Sequence, residues 1–162
     1  QELKQYLAQR YPLSLSAATT DKASDLERAQ IERYFCTTDT KRLMADLEAS
    51  STPWAARVAA LLRRRSPLML HVVQELMRRA RGLDLAQELR LERSLVRRCF
   101  ALRLGTESET VEGIRALVID KDHAPRWQPA RIEDVDPDLV AAYFEPAWPS
   151  NSHPLRHLER DF

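Results

Sequence analysis

The sequence predicts a mainly α-helical chain of about six or seven helices, and three observations predict it. Apolar residues recur at helical spacing along most of the chain, and no run of strand period has a convincing length. Thr52-Pro53, Ser66-Pro67 and Asp136-Pro137 each place a capping side chain before the residue that loses nothing at the first helical position. Glycine stands only at 82, 105 and 113, so the chain has few positions that favour a positive φ.

Taken in order, Glu2 to Tyr11 reads as a short helix closed by Pro12, and residues 13–20 as a polar connector. Ser24 and Glu27 have capping-box spacing and open an amphipathic stretch with Leu26, Ile31, Tyr34 and Phe35. Thr38 or Asp39 caps a short helix with Leu43, Met44 and Leu47 on one side. The Thr52-Pro53 start leads Trp54, Val58, Leu61 and Leu62. The Ser66-Pro67 start leads Met69, Val72, Val73, Leu76 and Ala80, stopped near Gly82. Asp84 caps the longest segment, with Leu85, Leu89, Val96, Cys99 and Phe100 expected inward and Arg90, Arg93, Arg97 and Arg98 largely outward. Thr106 and Glu109 repeat the capping-box spacing ahead of Val111, Ile114, Leu117 and Val118. Gly113 inside that helix costs about 1 kcal/mol relative to alanine, which points to close packing against a neighbour. Residues 120–129 read as irregular, and Asp136-Pro137 opens a final short helix through Phe144. The expected organisation is a connector over 1–22, a helical region over 23–146 and a tail over 147–162.

Composition narrows the function. With 44% hydrophobic and 30% charged residues the chain is too apolar to be wholly disordered. No apolar run approaches the roughly 20 residues that cross a bilayer, and the start lacks the layout of a secretory signal; a soluble, intracellular protein is expected. Twenty-five basic against 24 acidic residues give a net charge of +1, so no global field attracts nucleic acid or anionic lipid, and neither is expected as a partner. The glycine loops that cradle phosphates or oxyanions are missing, as are G-x-G-x-x-G, G-x-x-x-x-G-K and G-x-S-x-G.

The single residues that could carry chemistry each have a plainer reading. Cys36 and Cys99 cannot build a disulfide framework or a four-thiolate metal site, and read as apolar filler. His153 and His157 have the i, i+4 spacing of metal ligands, but no third ligand is suggested. His71, beside an apolar helix face, reads as a packing histidine, and Glu92, Glu109 and Glu112 as solvated or capping carboxylates. The clusters Arg63-Arg64-Arg65, Arg78-Arg79 with Arg81, and Arg97-Arg98 lie at helix C-termini, where they oppose the negative end of the dipole. Trp127, in a turn bracketed by prolines, either pins the irregular segment onto the helices or stacks on a ligand's ring.

Two segments carry a family resemblance. Arg65-Ser-Pro-Leu-Met-Leu70, followed by the long helix, and Glu112-Gly-Ile-Arg-Ala-Leu-Val-Ile-Asp-Lys-Asp-His-Ala-Pro-Arg-Trp-Gln-Pro129 resemble the C-terminal half of 3-hydroxyisobutyryl-CoA hydrolases. These are a branch of the enoyl-CoA hydratase/isomerase, or crotonase, superfamily. The resemblance runs from about Ala23 to Phe144. It implies that this chain is the helical C-terminal part of a crotonase-type ββα-spiral α/β fold, about half of a longer protein. The oxyanion hole and the Glu and Asp of the reaction would lie upstream, so no residue here is implied as catalytic. It further implies a short β-hydroxyacyl-CoA or enoyl-CoA substrate, no separate cofactor since coenzyme A is part of the substrate, and a homo-oligomer in the bacterial cytoplasm or the mitochondrial matrix. In that family a lysine after the E-G-x-x-A-F helix helps hold the phosphate end of coenzyme A. Lys121 matches it with one extra residue of spacing, and Leu117 replaces the aromatic. The expected substrate-contacting set is therefore Lys121, Leu117, Arg126 and Trp127. The alternative is a non-catalytic homologue that serves as a structural subunit, for example of a mitochondrial ribosome.

Overall fold

The computed structural model describes residues 22–158. The helix expected over 2–11 and the connector after it lie outside them, as does the side chain of Ser24. The chain divides into two compact units, Gln1–Cys36 and Thr37–Phe162. The described part of the first is helix α1, Lys22–Tyr34, with Asp25 in its first turn and Arg33 in its last, each sign suited to its end of the dipole.

The second unit is built from α2 (Thr40–Glu48), α3 (Pro53–Arg63), α4 (Pro67–Ala80), α5 (Leu85–Ala101), α6 (Glu109–Ile114) and α7 (Pro137–Tyr143), with short 3-10 turns between and after them. No strand occurs among the described residues. Local chemistry fixes the starts. Asp39 accepts from Lys41 N and Arg42 N at 2.9 and 3.2 Å. Thr52 caps Ala55 N, Ser66 caps Met69 N and Asp136 caps Asp138 N, in each case just before the proline expected at the first helical position. Asp84 and Gln87 complete a reciprocal capping box at 2.8 and 3.0 Å.

α2 packs on α3 and α4, α4 on α7, and α5 on α6 and α7. Leu43, Met44 and Leu47 are buried on the expected side of α2. The main core gathers Leu68 and Val72 of α4, Leu95 of α5, Val135, and Tyr143 of α7.

Two expectations fail here. The stripe of α5 expected inward, Leu85, Leu89, Val96 and Phe100, is 54%, 37%, 50% and 53% exposed. The buried positions are Ala86 and Leu95, with Cys99 partly buried. α5 carries apolar residues on more than one side, and periodicity marks each stripe without saying which one meets α4 and α7. The Thr106–Glu109 capping box does not form either. Gly105–Glu107 is a 3-10 turn begun at φ +55° by Gly105, and Ser108 caps α6 instead, accepting from Val111 N at 3.4 Å. Glu109 turns inward.

Candidate functional site

α6 positions two buried carboxylates one turn apart, Glu109 and Glu112, 4% and 2% exposed. The Ser108 hydroxyl donates to Cys99 O at 2.7 Å and ties the helix start to α5. Glu109 accepts from the Ser66 hydroxyl at the start of α4 and from Gln128 N at 3.0 Å, with the Arg103 guanidinium 3.7 Å away. Glu112 takes a two-pronged contact from Arg115 at 2.8 and 2.7 Å and also accepts from Arg126 N at 2.6 Å. The two carboxylates thus hold the backbone N–H groups of alternate residues, 126 and 128. This lashes the otherwise non-helical segment to α6, with Trp127 between the two anchors. A Cβ placed on Gly113 would lie 3.4 Å from Trp127 Cη2, so the close approach expected at this glycine is supplied by the indole.

Arg115 organises the next loop. The helix widens into a π-turn over Arg115–Ile119, and His123 N closes it on Ala116 O at 3.0 Å. Arg115 Nη1 donates to Asp120 and Asp122 at 2.6 and 2.7 Å, and Nη2 to Ala124 O at 3.2 Å. Lys121 and His123 sit at φ +55° and +53°, a conformation that side-chain-bearing residues adopt at a cost of order 1 kcal/mol or more and that clusters at functional sites.

Between α3, α4, α6 and this loop lies a cavity of about 480 Å³. Leu61, Met69, Val73, Leu117 and Trp127 form its apolar walls, and Arg64, Arg65 and His123 line it with nitrogen-bearing polar groups. A compartment of this size and mixture suits an elongated, partly apolar anion. Of the expected set, Leu117 and Trp127 come together on the wall. Lys121 is exposed beside the loop and does not line the cavity. Arg126 contributes its backbone N–H to Glu112; the residue is exposed and does not line the cavity. The carboxylates of Asp120 and Asp122, which in sequence flank Lys121, are both drawn to Arg115. Lys121 makes no ion pair among the described residues.

Sequence reasoning treated Glu109 and Glu112 as solvated or capping groups, and their burial corrects that reading. Burial pushes the Glu109 carboxyl above its ordinary range, against the opposing pull of Ser66, Gln128 N and Arg103. Glu112 is held down to about 2 by Arg115 and by the Arg126 N–H. The two groups therefore act in separate pH windows. Glu109, raised, contributes stability below its ordinary value of 4.5 and loses that contribution as pH rises through its folded value. Glu112, lowered, contributes above 4.5 and loses it as pH falls toward 2. Glu109→Gln keeps an acceptor for Gln128 N but cannot ionise, so its stability should fall less than the wild type's between pH 4.5 and neutrality. Urea midpoints measured across that range check this; parallel profiles for the two proteins would reject it.

His71 is partly buried, with Nε2 3.1 Å from Ile132 O and its pKa lowered by burial, as a packing histidine would be. Arg63 pairs with Glu48 and Glu133, and Arg78 and Arg79 with Glu75. Those helix-end arginines therefore make specific ion pairs. No group of three or more metal-ligating side chains converges among the described residues. None of the described helices is long and apolar enough to cross a membrane.

The sequence profile of a family described as enoyl-CoA hydratase/isomerase matches residues 2–144. A small ribosomal subunit protein mS47 of Arabidopsis thaliana is 32% identical over 132 residues, covering 78% of this chain and 32% of that protein. A mitochondrial 3-hydroxyisobutyryl-CoA hydrolase of Dictyostelium discoideum is 32% identical over 143 residues, covering 87% of this chain and 35% of that protein. The crystal structure of an enoyl-CoA hydratase from Rhodobacter sphaeroides 2.4.1 superposes with a TM-score of 0.69 at 34% identity, over 90% of this chain and 42% of that one. The chain spans about a third of the length of these curated relatives.

Proposed function

The chain belongs to the enoyl-CoA hydratase/isomerase family, and from that premise we propose that it is the helical C-terminal part of an acyl-CoA hydrolase of the 3-hydroxyisobutyryl-CoA type, or of an enoyl-CoA hydratase. The reacting groups would come from the part of the longer relatives that this chain does not span. The single observation that carries this reading is the 480 Å³ cavity walled by Leu117 and Trp127, apolar within and lined by Arg64, Arg65 and His123. An acyl-CoA has that duality, an apolar acyl and pantetheine arm ending in phosphates. Lys121, which makes no ion pair among the described residues, would meet a phosphate near the mouth. Arg126 would lie on the same side, and no cofactor beyond the coenzyme A of the substrate is invoked. The consecutive apolar residues Leu117, Val118 and Ile119, 59%, 62% and 68% exposed, support a covering segment, since large exposed apolar patches mark interaction surfaces.

A second reading has its own observation, the similarity to the ribosomal protein mS47. On it the same helices form a docking surface and no thioester is turned over. The two separate by assaying the longest natural chain that contains these residues against 3-hydroxyisobutyryl-CoA and crotonyl-CoA. The enzyme reading expects turnover, and Lys121→Ala should raise KM about tenfold while leaving kcat within about twofold, because a phosphate contact far from the reacting carbonyl is uniform binding. Residues 1–162 alone should not exceed the buffer rate. A complete chain inactive on both thioesters would favour the structural reading.

A further inference from the structure

Arg90, Arg93, Arg97 and Arg98, expected largely outward, run along the segment 145–158; Arg93 and Arg97 are exposed as expected, while Arg90 and Arg98 are partly buried against that segment. Arg90 donates to Leu155 O at 2.9 Å and to Leu158 O. Arg98 donates to Glu145 O and Pro146 O at 3.3 and 3.0 Å. The guanidinium carbons of Arg93 and Arg97 lie 5.3 and 4.6 Å from the Trp148 ring centroid. His153 Nδ1 accepts from Leu155 N at 3.0 Å, so Nε2 carries the proton toward Ser94 Oγ and Arg90 O, each at 3.2 Å. Ser94 therefore accepts from the imidazole and keeps its own hydroxyl proton to donate elsewhere.

These partners are almost all neutral. Counting Arg156, which donates to His153 O at 3.4 Å, the segment and the helix face bring together guanidinium groups whose one ion pair among the described residues is Arg98 with Glu145, at 3.6 Å. Carbonyl oxygens and an indole face solvate such cations without neutralising them, so they leave a local positive potential. An open cleft of about 410 Å³ lies between α5 and the segment, with Arg90, Arg156, Ser94, Ser150 and His153 on its polar side and Phe144 and Trp148 on its apolar side. Glu145 also lines it, and its carboxylate is drawn to Arg98 at 3.6 Å.

We propose that this cavity binds a phosphate-bearing small molecule with a flat ring, of the class of a purine nucleoside diphosphate. The phosphates take the guanidinium groups of Arg90 and Arg156 with the hydroxyls of Ser94 and Ser150, and the base lies along Trp148 and Phe144. The site is separate from the cavity of α3, α4 and α6 and does not depend on the acyl-CoA reading. Calorimetric titration of ADP, pyrophosphate and adenosine into the full protein at low salt tests it. ADP and pyrophosphate should bind with dissociation constants below about 1 mM, ADP the tighter, and adenosine should give no measurable heat. Arg156→Ala removes an exposed side chain that anchors nothing in the core, and should weaken both phosphates at least about tenfold with unchanged circular dichroism. No heat from either phosphate up to millimolar concentration, or equal affinity in Arg156→Ala, would overturn the proposal. Pyrophosphate binding as tightly as ADP would remove the ring-binding half of it.

Discussion

Replacing Arg115 by methionine will lower the denaturation midpoint at neutral pH by clearly more than the loss of an exposed ion pair does, because it leaves the carboxylate of Glu112 facing one remaining backbone donor. Arg115 supplies two of the three hydrogen bonds to that carboxylate and gathers Asp120, Asp122 and Ala124 O around the following loop. Methionine keeps most of the stem's packing, so the loss reports the charge and its hydrogen bonds. The pH dependence gives a second signature. In the wild type the Glu112 contribution is present above pH 4.5 and fades toward 2. In Arg115→Met the carboxylate has lost the partner that lowers it, so the variant should recover part of its deficit as the medium is made acidic. Chemical denaturation at neutral pH and near 4.5 measures both effects. A deficit below about 0.5 kcal/mol would show that the hub contributes no more than an exposed ion pair.

Leu68→Ala should cost about 2 to 5 kcal/mol, the range for truncating a fully buried leucine in a packed core. Leu68 is 0% exposed beside Val72, Leu95, Val135 and Tyr143. The informative comparison is Leu89→Ala on the outward stripe of α5, which should cost no more than about 0.5 kcal/mol in residues 1–162. In a longer natural chain the same substitution should become expensive if the further segment covers that stripe, and stay near neutral if it does not. Equal costs for Leu68 and Leu89 in the 162-residue chain would mean that the leucine stripe is already buried, contrary to this structure.

Much of the helical framework was legible because caps act over two or three residues. Thr52, Ser66, Asp84 and Asp136 do what their spacing to the next helix predicts, and the proline after three of them cannot disturb a bond the first turn lacks. The face that meets the core was less legible. On α2, where Leu43, Met44 and Leu47 make a single stripe, the expectation holds; on α5, where two stripes compete, it fails. The walls of the cavity were not legible as a set. Leu117 and Trp127 share a wall with Arg64 and His123 only because α3 ends and the loop after α6 folds back at the same place. Nothing in the spacing of Glu109 and Glu112 announces a buried carboxylate, since the groups that satisfy them come from Ser66, Arg126 and Gln128, as far as 43 residues away along the chain.

The sequence by itself determined the helical class, most of the helix starts and the family, because each depends on neighbouring residues or on the order of residues within a motif. The tertiary structure decided which apolar stripe is buried, why two acidic residues are held inside, and what the arginines of α5 grip. Those outcomes depend on which surfaces are brought into contact, and a carboxylate or a guanidinium is indifferent to its place in the chain until a partner far along it arrives.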